Sequence, residues 1–212
     1  MQYRQIIITT IILLLFAIIG TSMVAYTFEQ TRDQIAANER ATLLRKLHRL
    51  IPADRHDNVL LEDTVTARDE ALLGSEEPVM VYRARNDGEP VALVIAAVAP
   101  DGYSGTIRLL IGINVDGTLS GIRVVTHRET PGLGDAIDEN RSDWIHIFDG
   151  KSLQAPAPER WAVKKDGGDF DQLTGATITP RAVVKAARNA LLYYRDHQEA
   201  LFAPVETAAS TD

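Results

Sequence analysis

Apolar residues change their spacing along this chain, and each change predicts a different kind of element. Residues Ile6 to Tyr26 are uncharged and rich in Ile and Leu. At ~1.5 Å per residue, this stretch is long enough to cross a hydrocarbon core of about 30 Å. We therefore predict an N-terminal transmembrane helix, with residues 1–26 as a membrane anchor.

A cleaved signal peptide is the alternative for this stretch. Its apolar part would be only ~7–15 residues long and would end in an Ala-x-Ala-like site, and neither feature is present. Only Arg4 precedes the span, whereas the basic residues that follow it are Arg32, Arg40, Arg45, Lys46 and Arg49. By the positive-inside rule this imbalance favours a cytoplasmic domain, but large domains translocate largely regardless of charge. The sequence by itself leaves the topology open.

The apolar residues keep helical spacing after the span. They are Ile35, Leu43, Leu47, Leu50 and Ile51, with Pro52 as a stop. Residues 27–51 are therefore predicted to form a helix that serves as a stalk or a docking helix. Residues 53–76 are polar and acidic, and we expect a loose connection there with at most one or two helical turns. Together, residues 27–76 form a juxtamembrane helix and connection.

Short β-like runs begin at Val79. They cover residues 79–85, 91–98, 106–114 and 119–127, and Asp-Gly pairs occupy positions 87–88, 101–102 and 116–117 between them. Asp-Gly between apolar runs is a strong signal for a tight hairpin turn. The pattern predicts an antiparallel meander of four strands.

Helical spacing returns after Pro180, where the apolar positions are Val183, Ala187, Ala190, Leu191 and Tyr194. Such a helix would pack one face on the sheet. Trp144 and Phe148 stand at i and i+4, which predicts a helical pair in the core. The stretch from Arg160 to Phe170 is predicted to form a short strand and turn. The fold class is therefore α+β, with a flexible tail over residues 204–212.

Composition limits the classes of function. The chain has 212 residues, 45% of them hydrophobic, a formal net charge of −7 and no cysteine. This length supports one ordinary core plus the anchor. The acidic balance makes nucleic acid an unsuitable partner. Without cysteine the chain forms no disulfide, thiolate zinc site or cysteine-ligated iron–sulfur cluster. If it carries electrons, an organic cofactor is the natural candidate.

The segment Asp171-Gln172-Leu173-Thr174-Gly175-Ala176-Thr177 offers a seat for a phosphate group. Thr179 and Pro180 follow as a hydroxyl N-cap and a first-turn proline, which together open a helix. A helix N-terminus presents unpaired N–H groups and the positive end of a dipole, and Gly175 and Ala176 leave room for an anion. The same pattern is also typical of an ordinary capping loop.

A second motif, His127-Arg128-Glu129-Thr130-Pro131-Gly132-Leu133-Gly134, lies where the last predicted strand ends. Thr130 to Leu133 suit a type II turn, with glycine supplying the positive φ. If the strand continues, His127 and Glu129 lie on one side of it. His127 could be a catalytic base, a metal ligand or a polar strand-end residue. We favour the last, because only His146 is another histidine nearby in sequence.

Both motifs resemble the signatures of the covalent FMN-binding domain family. The resemblance implies that residues 77–203 form an FMN-binding domain and that a flavin transferase links FMN through its phosphate to Thr177. It also implies a set of cofactor-binding residues: Asp171, Thr174, Gly175, Ala176, Thr179, Glu129, Thr130, Gly132, Leu133 and Gly134. Lys164 and Lys165 could steady the flavin's charge, although a solvated pair is the simpler interpretation. No catalytic residue and no metal ligand are expected.

Over roughly three quarters of its length the chain resembles the G-subunit family of the Rnf/Rsx ion-motive electron transport complexes, which is related to the C subunit of sodium-translocating NADH:quinone reductase. This resemblance implies a single-pass protein of the bacterial inner membrane with a periplasmic flavin domain. Its partners would be the other membrane subunits, the transferase and membrane lipid. The complex would move electrons between ferredoxin and NAD and couple this to ion transport. This subunit would relay electrons through its flavin without binding ferredoxin or NAD, and it would not be catalytic alone.

Two other functions are considered. A cofactor-free membrane-anchored scaffold or ligand-binding subunit would keep the fold and be colourless. A hydrolase with a Ser or Thr nucleophile and His127 is remote, because the chain has no Gly-x-Ser-x-Gly elbow.

Overall fold

The computed structural model describes residues 2–203, so the tail predicted at 204–212 lies outside the described residues. The helices are α1 (Gln2–Leu50), α2 (Glu70–Leu73) and α3 (Ile178–Phe202), and the strands are β1 (Thr64–Ala67), β2 (Val79–Asn86), β3 (Glu89–Ala99), β4 (Ile107–Asn114) and β5 (Leu119–Thr126). Short 3-10 helices cover Ala53–Arg55, Gly134–Ile137, Asp143–Phe148, Pro158–Arg160 and Lys164–Asp166.

The chain divides into two units, Met1–Leu43 and Leu44–Asp212. The described part of the first unit is helical throughout and belongs to α1. Its described apolar side chains are exposed, except that of Leu43, which is half-buried, and its most apolar stretch has no buried residue. By length and composition α1 can therefore span a membrane. The helix predicted for residues 27–51 is confirmed as the continuation of α1, which ends at Leu50, ahead of Pro52.

The second unit is built on a five-stranded antiparallel sheet in the order β1-β2-β3-β4-β5. The four strands of the predicted meander are confirmed as β2 to β5. Val81 pairs with Ile95 across β2 and β3, and Ile111 pairs with Ile122 across β4 and β5. In the turn between β2 and β3, Asp87 and Gly88 have φ values of 51° and 81°. Positive φ at both central residues is the signature of a type I′ hairpin turn.

The prediction of a loose connection over residues 53–76 is wrong at β1. Thr64 pairs with Tyr82 and Ala67 pairs with Val79, which adds a fifth strand at the edge of the sheet. A four-residue strand is too short to show a clear alternation of apolar and polar residues. The helical turns expected in this segment are present as α2 and the 3-10 helix Ala53–Arg55.

One face of the sheet packs against α3 and the 3-10 helix Asp143–Phe148. The predicted apolar face of α3 is confirmed, since Val183, Ala187, Ala190, Leu191 and Tyr194 are all buried in the core. Trp144 and Phe148 are core residues as predicted, with ring centroids 5.5 Å apart, but they lie on a 3-10 helix. The strand predicted between Arg160 and Phe170 is only an isolated bridge, Val163 to Phe170, because 3-10 turns flank it.

The end of α1 that belongs to the second unit is also buried in it. Leu47 and Leu50 are buried there, as is Ile51 directly after the helix. Leu50 lies close to two glycines that pair across β4 and β5: a Cβ added to Gly112 or Gly121 would lie 3.2 Å from a Leu50 side-chain atom. Since Gly112 alternates with the core residues Ile111 and Ile113, this contact is on the sheet face opposite α3. The segment 44–51, which contains the end of α1, therefore packs on this face of the sheet.

Two arginines of β2 fasten the C-terminal end of α3. The Arg83 guanidinium donates to the carbonyl oxygen of Ala203 at 2.6 Å, and Arg85 donates to that of Phe202 at 2.7 Å. Asp63 pairs with both arginines. These contacts satisfy carbonyl groups that a helix end leaves free. These hydrogen bonds hold the C-terminal end of α3 on the sheet, which helps to fix the position of its N-terminus.

Candidate functional site

The two sequence motifs meet at one cavity of about 390 Å³ in the second unit. It is lined by Tyr103, Glu129, Thr130, Leu133, Gly134, Gly175, Ala176, Thr177, Ile178 and Thr179. Eight of these residues belong to the predicted set. Of the remaining predicted residues, Asp171, Thr174 and Gly132 do not line the cavity.

Gly132 shapes the loop that carries the first motif. Its φ is 78°, and the Leu133 N–H donates to the Thr130 carbonyl oxygen at 3.1 Å. This hydrogen bond and this φ are those of the predicted type II turn. The turn directs the flanking residues Thr130 and Leu133 to the cavity.

His127 is the first residue of the same loop and forms a hydrogen bond within it. β5 ends at Thr126, and the His127 Nδ1 atom accepts a hydrogen bond from the Glu129 N–H at 3.1 Å. The chain therefore turns after Thr126, and the expected strand alternation of His127 and Glu129 does not continue. The contact agrees with the interpretation of His127 as a polar strand-end residue.

Asp171 and Thr174 lie in the second motif but outside the cavity. The carbonyl oxygen of Asp171 accepts from the Trp144 indole N–H at 2.7 Å, and its carboxylate pairs with Lys164 at 2.5 Å. Both charged side chains are exposed, as is Thr174. Lys164 thus has a carboxylate partner, and neither it nor Lys165 lines the cavity.

Gly175 is favoured by its backbone conformation. Its φ is 79°, a value that strains residues with a Cβ atom. An added Cβ would lie 2.9 Å from Leu133 Cδ2, so the exposed Leu133 side chain would also have to move. The turn continues with the Ala176 N–H, which donates to the Leu173 carbonyl oxygen at 3.1 Å.

The helix after the second motif begins earlier than predicted. α3 starts at Ile178 with Thr177 as its N-cap, so the prediction of Thr179 as the N-cap is wrong. The Thr177 hydroxyl makes no capping hydrogen bond, whereas Thr179 is fully buried in the first turn and its hydroxyl donates to Glu129. A capping hydroxyl accepts from a backbone N–H at the start of the helix, whereas the Thr179 hydroxyl lies inside the helix and donates to a carboxylate. Pro180 lies in the first turn, as predicted.

Glu129 joins three segments around the cavity. It is only 4% exposed; Oε1 accepts from the Ser104 N–H at 3.1 Å, and Oε2 accepts from the Thr179 hydroxyl. Gly134 lies directly against the carboxylate, since a Cβ added to it would lie only 2.8 Å from Glu129 Oε2. The loop between β3 and β4, the first motif and α3 therefore share one buried acceptor.

Sequence reasoning missed Tyr103 and Ile178, which form an apolar rim with Leu133. Their exposed fractions are 66%, 44% and 41% respectively. Tyr103 follows Asp101-Gly102, so an aromatic residue at the tip of a predicted turn was the available signal. Large apolar side chains grouped at a cavity mouth are suited to a flat organic ring.

The cavity has no cationic group among its described lining residues, and its only charged side chain is Glu129. Arg181, in the first turn of α3, is bound to Asp166 through two contacts of 2.5 and 2.6 Å. Hydrogen bonds from this guanidinium lower the pKa of the Asp166 carboxyl. An anion at the start of α3 would consequently rely on backbone N–H groups and on the helix dipole.

The geometry fits a phosphorylated ring compound. The start of α3 supplies N–H donors for a phosphate, while Tyr103, Leu133 and Ile178 supply an apolar wall beside it. The volume falls within the range of about 300–1,000 Å³ that is usual for small-molecule sites.

Comparison with known proteins agrees with this geometry. Residues 102–192, which include every residue that lines the cavity, match the family described as FMN-binding domain, and residues 1–50 match the RnfG N-terminal region. Three similar proteins are each named as the G subunit of an ion-translocating oxidoreductase complex. That of Pseudoalteromonas atlantica is 51% identical over 91% of this chain and 89% of its own length. That of Shewanella baltica is 48% identical over 95% of this chain and 95% of its own length. That of Pseudomonas aeruginosa is 47% identical over 97% of this chain and 96% of its own length. The chain therefore belongs to the family of ion-translocating oxidoreductase complex G subunits, and it carries an FMN-binding domain behind an N-terminal apolar helix.

Proposed function

We propose that this chain is the membrane-anchored flavoprotein subunit that relays electrons within an ion-translocating, ferredoxin- and NAD-linked electron transport complex. The observation that carries the proposal is the position of Thr177. Its hydroxyl has no capping partner and lies at the start of α3, on the wall of the cavity that brings both flavin motifs together.

Thr177 is the attachment residue in this proposal. A phosphoester would join its Oγ1 atom to the phosphorus of FMN. The transferase would draw on an activated flavin phosphate such as a flavin dinucleotide, whose pyrophosphate P–O bond breaks and whose nucleoside monophosphate leaves as the threonine loses its hydroxyl proton. The N–H groups of Ile178 and Thr179 lie in the first turn of α3, where a helix leaves such donors without intrahelical acceptors. They are the donors available to the phosphate, since Pro180 has no N–H.

The remaining lining residues position the ring and leave it accessible. When bound, FMN supplies the ability to accept and release electrons. Leu133 and Ile178 would contact its apolar part, and the exposed rim with Tyr103 would let a partner cofactor approach. Glu129 holds the surrounding segments in place. Thr177 acts as a tether and has no role as a general acid or base.

The partners follow from this function. They are the other membrane subunits of the complex, a flavin transferase that attaches FMN, and membrane lipid around α1. A cofactor-free scaffold remains the alternative, and it predicts a colourless protein with an unmodified Thr177.

The mass of the protein purified from its native membrane tests the proposal. We expect one FMN-sized addition, confined to the tryptic peptide 166–181, which is bounded by Lys165 and Arg181. Fluorescence of the denatured band in a gel should report the same covalent flavin. An unmodified peptide, from a host that flavinylates other proteins, would instead support the scaffold.

We also propose that the second unit is periplasmic, as the family resemblance implies. External protease added to spheroplasts should then remove the fluorescent band, while the same protease should leave a cytoplasmic marker protein intact. A fluorescent band that survives until the membrane is broken would place the domain in the cytoplasm and contradict this topology.

A further inference from the structure

The end of α1 contacts both flanks of the loop that carries the first flavin motif. We call residues 127–134 the 127–134 loop. It leaves β5 at Thr126 and runs into the 3-10 helix Gly134–Ile137. Four cavity residues belong to it: Glu129, Thr130, Leu133 and Gly134.

The first contact lies just before the loop. The Lys46 ammonium donates to the carbonyl oxygen of Val124 at 2.5 Å. β5 is irregular at this point, because Leu109 pairs with Val124 while Arg108 pairs with Thr126, so that Val125 is an extra residue. A bulge of this kind bends a strand and redirects the residues that follow it. Lys46 therefore holds the strand where it turns into the loop.

The second contact lies beyond the 3-10 helix Gly134–Ile137 that follows the loop. Glu139, whose side chain is 12% exposed, pairs with Arg49 at 2.5 Å and with Arg123 of β5 at 2.8 Å. The buried Arg123 Nε atom has no aligned hydrogen-bond acceptor, so its contact is a simple ion pair. Arg49 thus contributes the shorter of the two contacts that hold Glu139.

Lys46 and Arg49 are three residues apart, so they lie on neighbouring positions of one helix surface. The helix end that carries them is itself held by the buried residues Leu47 and Leu50. We infer that Lys46 and Arg49 are positioning residues of the flavin site, which fix the two ends of the 127–134 loop against the sheet. The inference rests on the proposed flavin site, but the contacts are independent of any cofactor.

The Arg49–Glu139 contact adds little to global stability. Arg49 is more than half exposed, and exposed ion pairs contribute close to nothing to the free energy of unfolding in many proteins. A role in positioning and a role in stability therefore predict different results when both side chains are changed.

The test compares the full-length variant Lys46→Met/Arg49→Met with the unchanged protein. We expect hydrogen exchange of the 127–134 loop amides to become about tenfold faster, as loss of a local hydrogen bond or ion pair permits, with β3 and β4 unaffected. In flavin-loaded protein, we expect the midpoint potential of FMN to shift. The charge-preserving variant Lys46→Arg/Arg49→Lys should restore both values, and Arg32→Met, an exposed change elsewhere on α1, should alter neither.

Unchanged exchange in the loop would overturn the inference, as would faster exchange spread equally over the whole sheet. If the native protein carries no flavin, the proposed function fails, but the exchange measurement still decides whether Lys46 and Arg49 position the loop.

Discussion

Replacement of Thr177 by valine is expected to abolish covalent flavin attachment. Valine matches the shape of threonine but has no oxygen to form the phosphoester. The Thr177 hydroxyl makes no capping hydrogen bond, so its removal costs the helix little, and the variant should fold with an unchanged melting temperature. The expected result is complete loss of in-gel fluorescence and of the FMN-sized addition to peptide 166–181.

Thr177→Ser is the matched control, because serine keeps the hydroxyl in the same place. It should retain the flavin, although its attachment can be slower. A further variant, Thr174→Val, changes an exposed threonine that the family resemblance assigns to the recognition motif and that lies outside the cavity, so loss of flavin there would report on recognition by the transferase. Flavin that persists in Thr177→Val would show that another residue is the attachment point. Loss in Thr177→Val together with loss in Thr177→Ser would indicate a failure of recognition and would leave the attachment atom unassigned.

Replacement of Glu129 by alanine is expected to cause the largest loss of stability at the site. The Ser104 N–H and the buried Thr179 hydroxyl would both lose their acceptor. Loss of hydrogen bonds to a charged group, with donors left unpaired, costs about 2–3 kcal/mol. For a domain of this size the melting temperature should fall by roughly 5–10 °C, as measured by thermal unfolding of the protein without flavin.

Glu129→Gln separates the hydrogen bonds from the charge. Glutamine keeps one acceptor oxygen, and the Thr179 hydroxyl can rotate to accept from the new amide, so the melting temperature should fall much less. Because the charge is absent, this variant also reports whether the carboxylate influences the flavin potential. Equal stability of Glu129→Ala and the unchanged protein would contradict the role of Glu129 as a shared acceptor.

The regular elements could be predicted because their signals are local. Alternation and Asp-Gly turns located β2 to β5, and helical spacing of Val183, Ala187 and Leu191 located the buried face of α3. The type II turn at Thr130–Leu133 could also be predicted locally, since proline fixes its own φ and glycine permits the positive φ that the turn requires. These elements account for most of the cavity lining.

The features that escaped prediction depend on distant partners. β1 is a strand because β2 supplies its hydrogen-bond partners, which four residues cannot reveal. Thr179 lies inside α3, and its hydroxyl donates to the buried carboxylate of Glu129, fifty residues earlier, a partner that the local sequence does not reveal. Tyr103 joins the cavity because Ser104 in the same loop donates to that carboxylate. In each case tertiary contacts override a local preference.

The pairing of Arg181 with Asp166 affects how long an untethered cofactor would reside in the protein. Charge-assisted contacts slow dissociation most, and the cavity has no cation among its described lining residues to provide one. Under the proposed function, freely bound FMN would escape quickly and be diluted away. Covalent attachment then determines whether the protein keeps its FMN. The amount of active protein would therefore depend on the supply of transferase. Chains that are synthesised faster than they are modified would accumulate as folded but inactive subunits.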